Sequence, residues 1–265
     1  MNIFIREMKA HRKSLIIWCI GIFLMIFSQM NKYAATSSNG QSLNDLMSKM
    51  PKSLQAILGT GTFDLSKLSG YYGMIFLYLV LIATIHAAML GSDIISKEER
   101  DKTSEFLFVK PISRSEVVSA KLLAGFLNII ILNIVTLVSS IIIAGKYSKG
   151  EPMTWVILNL MLGMFVLQLI FMLLGACLAA VSRNPKSASS GSMGILLITF
   201  VLYNAIGLNT NLEKLKYLTP FKYFEAKNLI FNVGFEPVFV ILSTVIIAVL
   251  LSATYVFYRK RDLNI

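Results

Sequence analysis

Ionisable side chains are what this sequence has least of: 15% of its residues are Asp, Glu, Lys or Arg, against 55% hydrophobic. A 265-residue chain so poor in charge, with mean hydropathy +0.68, is too apolar for an ordinary soluble domain and too long for a single anchor. It reads as a polytopic membrane protein. Cysteine is also scarce. Cys19 and Cys177 lie inside apolar runs and read as small buried hydrophobes, not as a disulfide or a metal pair. Of the two histidines, His86 sits in an apolar run with no Asp, Glu or second His beside it in sequence, so it reads as a helix-to-helix hydrogen-bonding group.

Other absences narrow the function. No charge falls in the middle of an apolar run, where it would cost about 2.5 to 3.5 kcal/mol on insertion scales. Proton relays and ion-coupled transport usually need such groups, so any transport energy must come from elsewhere. No G-x-S-x-G or H-E-x-x-H is present, which disfavours an intramembrane hydrolase. No Walker A segment exists either: Gly59-Thr60-Gly61 has no Lys-Ser/Thr after it and no strand before it, and reads as a turn. The net charge of +11 and pI near 9.6 would suggest nucleic acid in a soluble chain. Here the basic residues flank apolar runs, where bilayer orientation accounts for them, and no nucleic-acid partner is expected.

Six apolar runs are present, at about 15–33, 71–95, 122–144, 155–181, 188–208 and 237–258, and predict an all-α membrane protein with a single permease-sized domain over 1–265. Residues 1–14 mix Ile3, Phe4, Ile5 and Met8 with Arg6, Lys9, Arg12 and Lys13, the pattern of a basic amphipathic helix lying in a membrane interface. Read as a signal peptide instead, it would be cleaved near Ala34 and Ala35; an uncleaved first span is favoured. The interval 34–70 carries apolar residues at spacings of three and four from Leu43 to Leu58, broken at Pro51, and reads as packing against neighbouring spans. The interval 209–236 is aromatic throughout and is expected to dip partly into the membrane. Six spans put both termini on one side. With that side cytoplasmic, fifteen of the 25 Lys and Arg fall inside and ten outside, and 34–70 and 209–236 become external loops.

Uncharged polarity inside the runs has two readings. Asn128, Asn133 and Thr136 on the third span and Asn204 on the fifth could line a translocation path or join helices, and the second is favoured. Gly175 with Ala179, and Gly191 with Gly194, let backbones approach.

The one long charged stretch lies between the second and third spans, at 96–121. Glu98, Glu99 and Arg100 continue a helix out of the second span. Asp101 or Thr103 can cap a short helix carrying Ser104, Glu105, Phe106, Leu107 and Phe108. Pro111 stops that helix, and Ser113 with Glu116 forms a capping box that starts the next, which runs past Arg114 and Lys121. Phe106-Leu107-Phe108 between charged flanks either folds onto its own helices or lipid, or forms a knob for a groove on a partner; the knob is favoured.

This order resembles the cytoplasmic loop of ABC-2 type transporter permeases. There, acidic residues precede a Gly/Lys-Thr-x-Glu-x-Leu-Leu element, a Pro-Ile/Val-Ser-Arg element and a closing Lys. Glu98, Glu99, Thr103, Glu105, Leu107, Pro111, Ile112, Ser113, Arg114 and Lys121 match it, while Lys102 stands where Gly is frequent and Phe108 where Leu is frequent. The resemblance implies a coupling helix seated in a separate ATPase subunit, which would hold ATP and Mg while this chain binds no cofactor. It also implies a second permease chain, as a homodimer, in a bacterial cell membrane, and the export of cargo. A non-transporting sensor or scaffold using the same loop is the alternative.

Overall fold

The computed structural model describes residues 3–38, 43–51, 54, 55, 63–101, 113–148, 150–182, 184–231 and 234–260. Among them are eight α-helices and two 3₁₀ segments: α1 (Ile3–Ser38), α2 (Leu43–Ser48), α3 (Leu68–Arg100), α4 (Arg114–Gly145), α5 (Met153–Val181), α6 (Pro185–Leu208), Thr210–Leu218 and Pro220–Lys222 as 3₁₀, α7 (Ala226–Ile230) and α8 (Pro237–Lys260). Six of these, α1, α3, α4, α5, α6 and α8, are long and apolar enough to cross a membrane. They agree with the six runs read from the sequence, and each is longer than its apolar core.

That extra length positions the site. At 1.5 Å per residue, α1, α3 and α4 are each about 50 Å long, against a hydrocarbon core of about 30 Å. Their polar ends therefore extend beyond the apolar zone as further helical turns. Nothing breaks α1 at Ser14, so the expected separate interfacial helix is instead the first four turns of one continuous helix. The physical reason is twofold. No Gly or Pro stands between Ile3 and Ile20, and the face bearing Glu7, His11 and Leu15 is buried against the bundle while Lys9, Arg12 and Lys13 stay exposed.

The centre of the bundle is α3 against α5. In their apolar windows 67% and 61% of residues are buried, compared with 17–22% in α1, α6 and α8, which form the flanks. The two central helices touch backbone to backbone. A Cβ on Gly91 would overlap the Met172 carbonyl oxygen, and one on Gly175 the Ala88 carbonyl oxygen. Gly175 thus performs the close approach expected of it, with Gly91 as its unforeseen counterpart. Gly194 has nothing within 4 Å and makes no such contact in this chain.

Buried polar pairs fix the register between helices. Asn133 Nδ2 donates to Gln168 Oε1 at 2.6 Å across α4 and α5, and Tyr72 Oη to Ser140 Oγ at 2.6 Å across α3 and α4. The segment after α6 folds back into the bundle: Phe221 packs on Phe171, Phe200 and Tyr203, and Thr219 Oγ1 donates to the Thr199 carbonyl at 2.8 Å. Gly163 makes room for it, since a Cβ there would meet Phe224 at 2.9 Å.

Candidate functional site

Where α3 ends and α4 begins, the chain gathers charge at one end of the bundle. The start of α4 is set locally by the predicted capping box: Glu116 N–H donates to Ser113 Oγ at 3.2 Å, and Ser113 N–H donates to Glu116 Oε2 at 2.9 Å. Two turns on, the α4 helix carries Lys121 inward with no exposed surface at all. An ammonium so placed must be paired, because an isolated buried charge is far costlier than an unmade hydrogen bond. Its Nζ donates to the Ile94 carbonyl and, at 2.5 Å, to Glu98 Oε2, both on the last turns of α3.

Glu98 is shared. Its Oε1 accepts from Arg6 Nη2 of α1 at 2.6 Å, and Arg6 also pairs with its neighbour Glu7 at 3.1 Å. Glu7 is fully buried, with Oε1 3.9 Å from Lys121 Nζ and Oε2 3.8 Å from His11 Nε2. The other ring nitrogen of His11 lies 3.9 Å from Asp93 of α3, whose second partner is Arg100. Two acids and two bases, Glu7, Glu98, Arg6 and Lys121, thus make a charge-balanced node joining the ends of three helices. Arg100 also meets Asp101 at 3.3 Å. Arg114, on the first turn of α4, donates to the Arg259 carbonyl at 3.0 Å, and Ser119 bonds Tyr255 at 2.8 Å, which ties α8 to the same end.

The residues expected to couple to a partner divide here. Glu98, Arg100, Arg114 and Lys121 belong to this polar end, with Glu99 half-buried beside them. Thr103, Ser104, Glu105, Phe106, Leu107, Phe108 and Pro111 lie outside the described residues, so the structure says nothing of the expected coupling helix. Sequence reasoning missed Arg6, Glu7, His11 and Asp93 as members. A signal existed for Glu7, the sole acid before Asp45 in an otherwise basic segment.

The four residues weighed as path-lining do not share one surface. Asn133 is consumed by Gln168, Thr136 donates to the Leu132 carbonyl at 2.7 Å, and Asn204 donates to the Phe200 carbonyl at 2.9 Å. Asn128 is the one of the four that lines a cleft, of about 300 Å³, next to the ionic node. His86 lines that cleft too, and so does His11; tertiary folding supplies the second histidine that the linear neighbourhood of His86 lacks. No group of three or more His, Cys, Asp or Glu suited to a metal occurs among the described residues.

Six long apolar helices around a tightly packed central pair, with a charged hairpin rooted at one end, define an integral membrane protein of the permease class. A family model described as ABC-2 family transporter protein matches residues 1–263, and the chain belongs to that family. A search of the curated proteins found no significant match. Membership makes the chain a transmembrane component of an ABC transporter and not itself the catalytic subunit.

Proposed function

We propose that this chain is the permease subunit of an ATP-driven exporter, coupled through residues 96–121 to a separate ATPase that holds ATP and Mg. The observation that carries the proposal is the ionic node. Lys121 and Glu98 staple the two roots of the charged hairpin to each other, and Arg6 and Glu7 staple both to α1. A push on the hairpin therefore reaches α1, α3 and α4 together instead of bending one helix end. Salt bridges and packed interfaces of this kind are discrete in their arrangements, which lets a small displacement select between two states of the bundle.

In this reading the amino-terminal end of the bundle faces the cytoplasm, where ATP is, and 34–70 and 209–236 face outward. Two permease chains with two ATPases form the working unit, in a bacterial cell membrane. Asn128, Asn133, Thr136 and Asn204 remain the polar groups of the transport pathway or its gating interfaces. Phe106 and Phe108 seat the hairpin in the ATPase, since apolar anchors within a polar rim are how docking surfaces are built.

The test replaces both aromatics, Phe106→Asp and Phe108→Asp, in the chain co-expressed with its ATPase. The variant should stay in the membrane and lose co-purification with the ATPase, together with ATP-dependent transport in reconstituted vesicles. Unchanged assembly and transport would sink the docking assignment. Assembly without any ATP-dependent transport of wild-type protein would favour a scaffold.

A further inference from the structure

The cleft beside the node has a chemistry of its own. Its floor is α3, and its two walls are α1 and α6, both of which pack on α3. Trp18, Met89 and Leu90 give it an apolar lining, while His86, Asn128 and Ser189 put polar atoms on its inner surface. Those polar atoms are incompletely used. Asn128 spends its Nδ2 on the Ala124 carbonyl at 2.8 Å, leaving Oδ1 buried without a partner, and His86 Nδ1 is likewise buried and unpartnered. Asn128 is 1% and His86 3% exposed, so bulk water does not serve them. The imidazole is held in place by Trp18, edge to face with ring centroids 5.3 Å apart.

We propose that this cleft binds a single-chain amphiphile drawn from the bilayer, whose neutral head carries a hydroxyl group. A hydroxyl donates once and accepts twice, which matches an amide oxygen that needs a donor and a neutral imidazole that offers one donor and one acceptor. An ionic head finds no unmatched charge here: at the mouth Asp93 is paired with Arg100, and no carboxylate among the described residues pairs with His86. Size sets the chain number, since about 300 Å³ is the lower end of the range for ligand sites and too small for two acyl chains. The route is lateral. Ser14 of α1 and Met89 of α3 are exposed lining residues on the flank of the bundle, where hydrocarbon would lie against the apolar faces of α1 and α6. Binding is read on the permease chain alone, so its outcome is independent of the ATPase assignment.

The chain has two tryptophans, and Trp155 is 72% exposed at the head of α5, so Trp155→Phe leaves Trp18 as a reporter inside the cleft. The full-length Trp155→Phe protein in phosphatidylcholine nanodiscs is titrated with a terminally brominated undecanol and with bromoundecane, whose bromine quenches tryptophan at close range. Quenching by the alcohol should saturate, at a membrane mole fraction about tenfold or more below that needed by the alkane, the effect expected of one hydrogen bond in an apolar site. Adding His86→Phe, which keeps a ring on Trp18 but removes both nitrogens, should bring the two probes to within about twofold, and Asn128→Leu should do the same. Equal, unsaturated quenching by the two probes in the wild-type cleft would overturn the proposal and leave a cleft that holds only water. A preference for the alcohol that survives in both His86→Phe and Asn128→Leu would overturn it as well.

Discussion

Lys121 keeps an ammonium group where no water reaches it, and the partners that make this tolerable come from two other helices. Removing one member of such a pair is worse than never having built it, because the remaining charges stay buried without compensation. Lys121→Met should therefore destabilise the chain by about 3–5 kcal/mol, leaving Glu98 with only Arg6 and Glu7 without its ammonium. Adding Glu98→Leu to it should recover part of the loss, since the second carboxylate of the cluster no longer has to be buried. Thermal unfolding of the detergent-solubilised proteins measures both, and a Lys121→Met protein as stable as wild type would show the node to be energetically idle. At this scale the sequence is a poor guide. Lys121 was singled out as a loop residue that closes a motif, and nothing in its neighbours Ala120 and Leu122 announces that it points inward. Glu7, 114 positions earlier in the chain, is what makes sense of it.

At the scale of elements, α1 does two tasks along one helix. Beyond Leu15 it is a lipid-facing span with Ile17 and Ile20 exposed, and before Leu15 it is a lever arm carrying Arg6, Glu7 and His11 to the ends of α3 and α4. Continuity of the helix is what joins the tasks. Ala10 is exposed on α1, so Ala10→Pro deletes one backbone hydrogen bond and kinks the helix at a cost of about 3 kcal/mol without touching any partner. Amide exchange over residues 93–100 should accelerate in that variant while exchange across α5 (Met153–Val181) stays as it was. Unaltered exchange at the end of α3 would mean that the first turns of α1 do not brace it. The capping box at Ser113 was legible in the sequence because it is a local pattern of four residues, and α3 and α4 were legible as apolar runs. The continuity of α1 was not, since a basic amphipathic segment reads the same whether it lies in an interface or stands on a bundle.

Taken as a whole molecule, the bundle places the charged hairpin at one end and the 209–236 segment at the other, with α3 and α5 as the tightly packed axis between them. The orientation proposed above makes a direct forecast. In a chain lacking its own thiols through Cys19→Ala and Cys177→Ala, Glu213→Cys should react with a membrane-impermeant maleimide added to intact cells, whereas Lys102→Cys should react only after permeabilisation. The reverse pattern would invert the molecule and remove the hairpin from the ATPase. The apolar faces left exposed on α1, α6 and α8 accord with a molecule solvated by lipid, in which Ile17, Ile198 and Ile241 need no protein cover.

By itself the sequence determined how many times the chain crosses the membrane, where each crossing starts, and the resemblance of its one charged hairpin to a transporter loop. Those properties are additive along the chain: hydropathy over some twenty residues and a short capping pattern are each complete within one segment. Only the tertiary structure decided which charges are buried together, that Gly91 and Gly175 seat α3 on α5, and that His11, His86 and Asn128 share one cleft. These are properties of pairs far apart in the chain, and burial turns on what the facing helix presents, which no single segment contains.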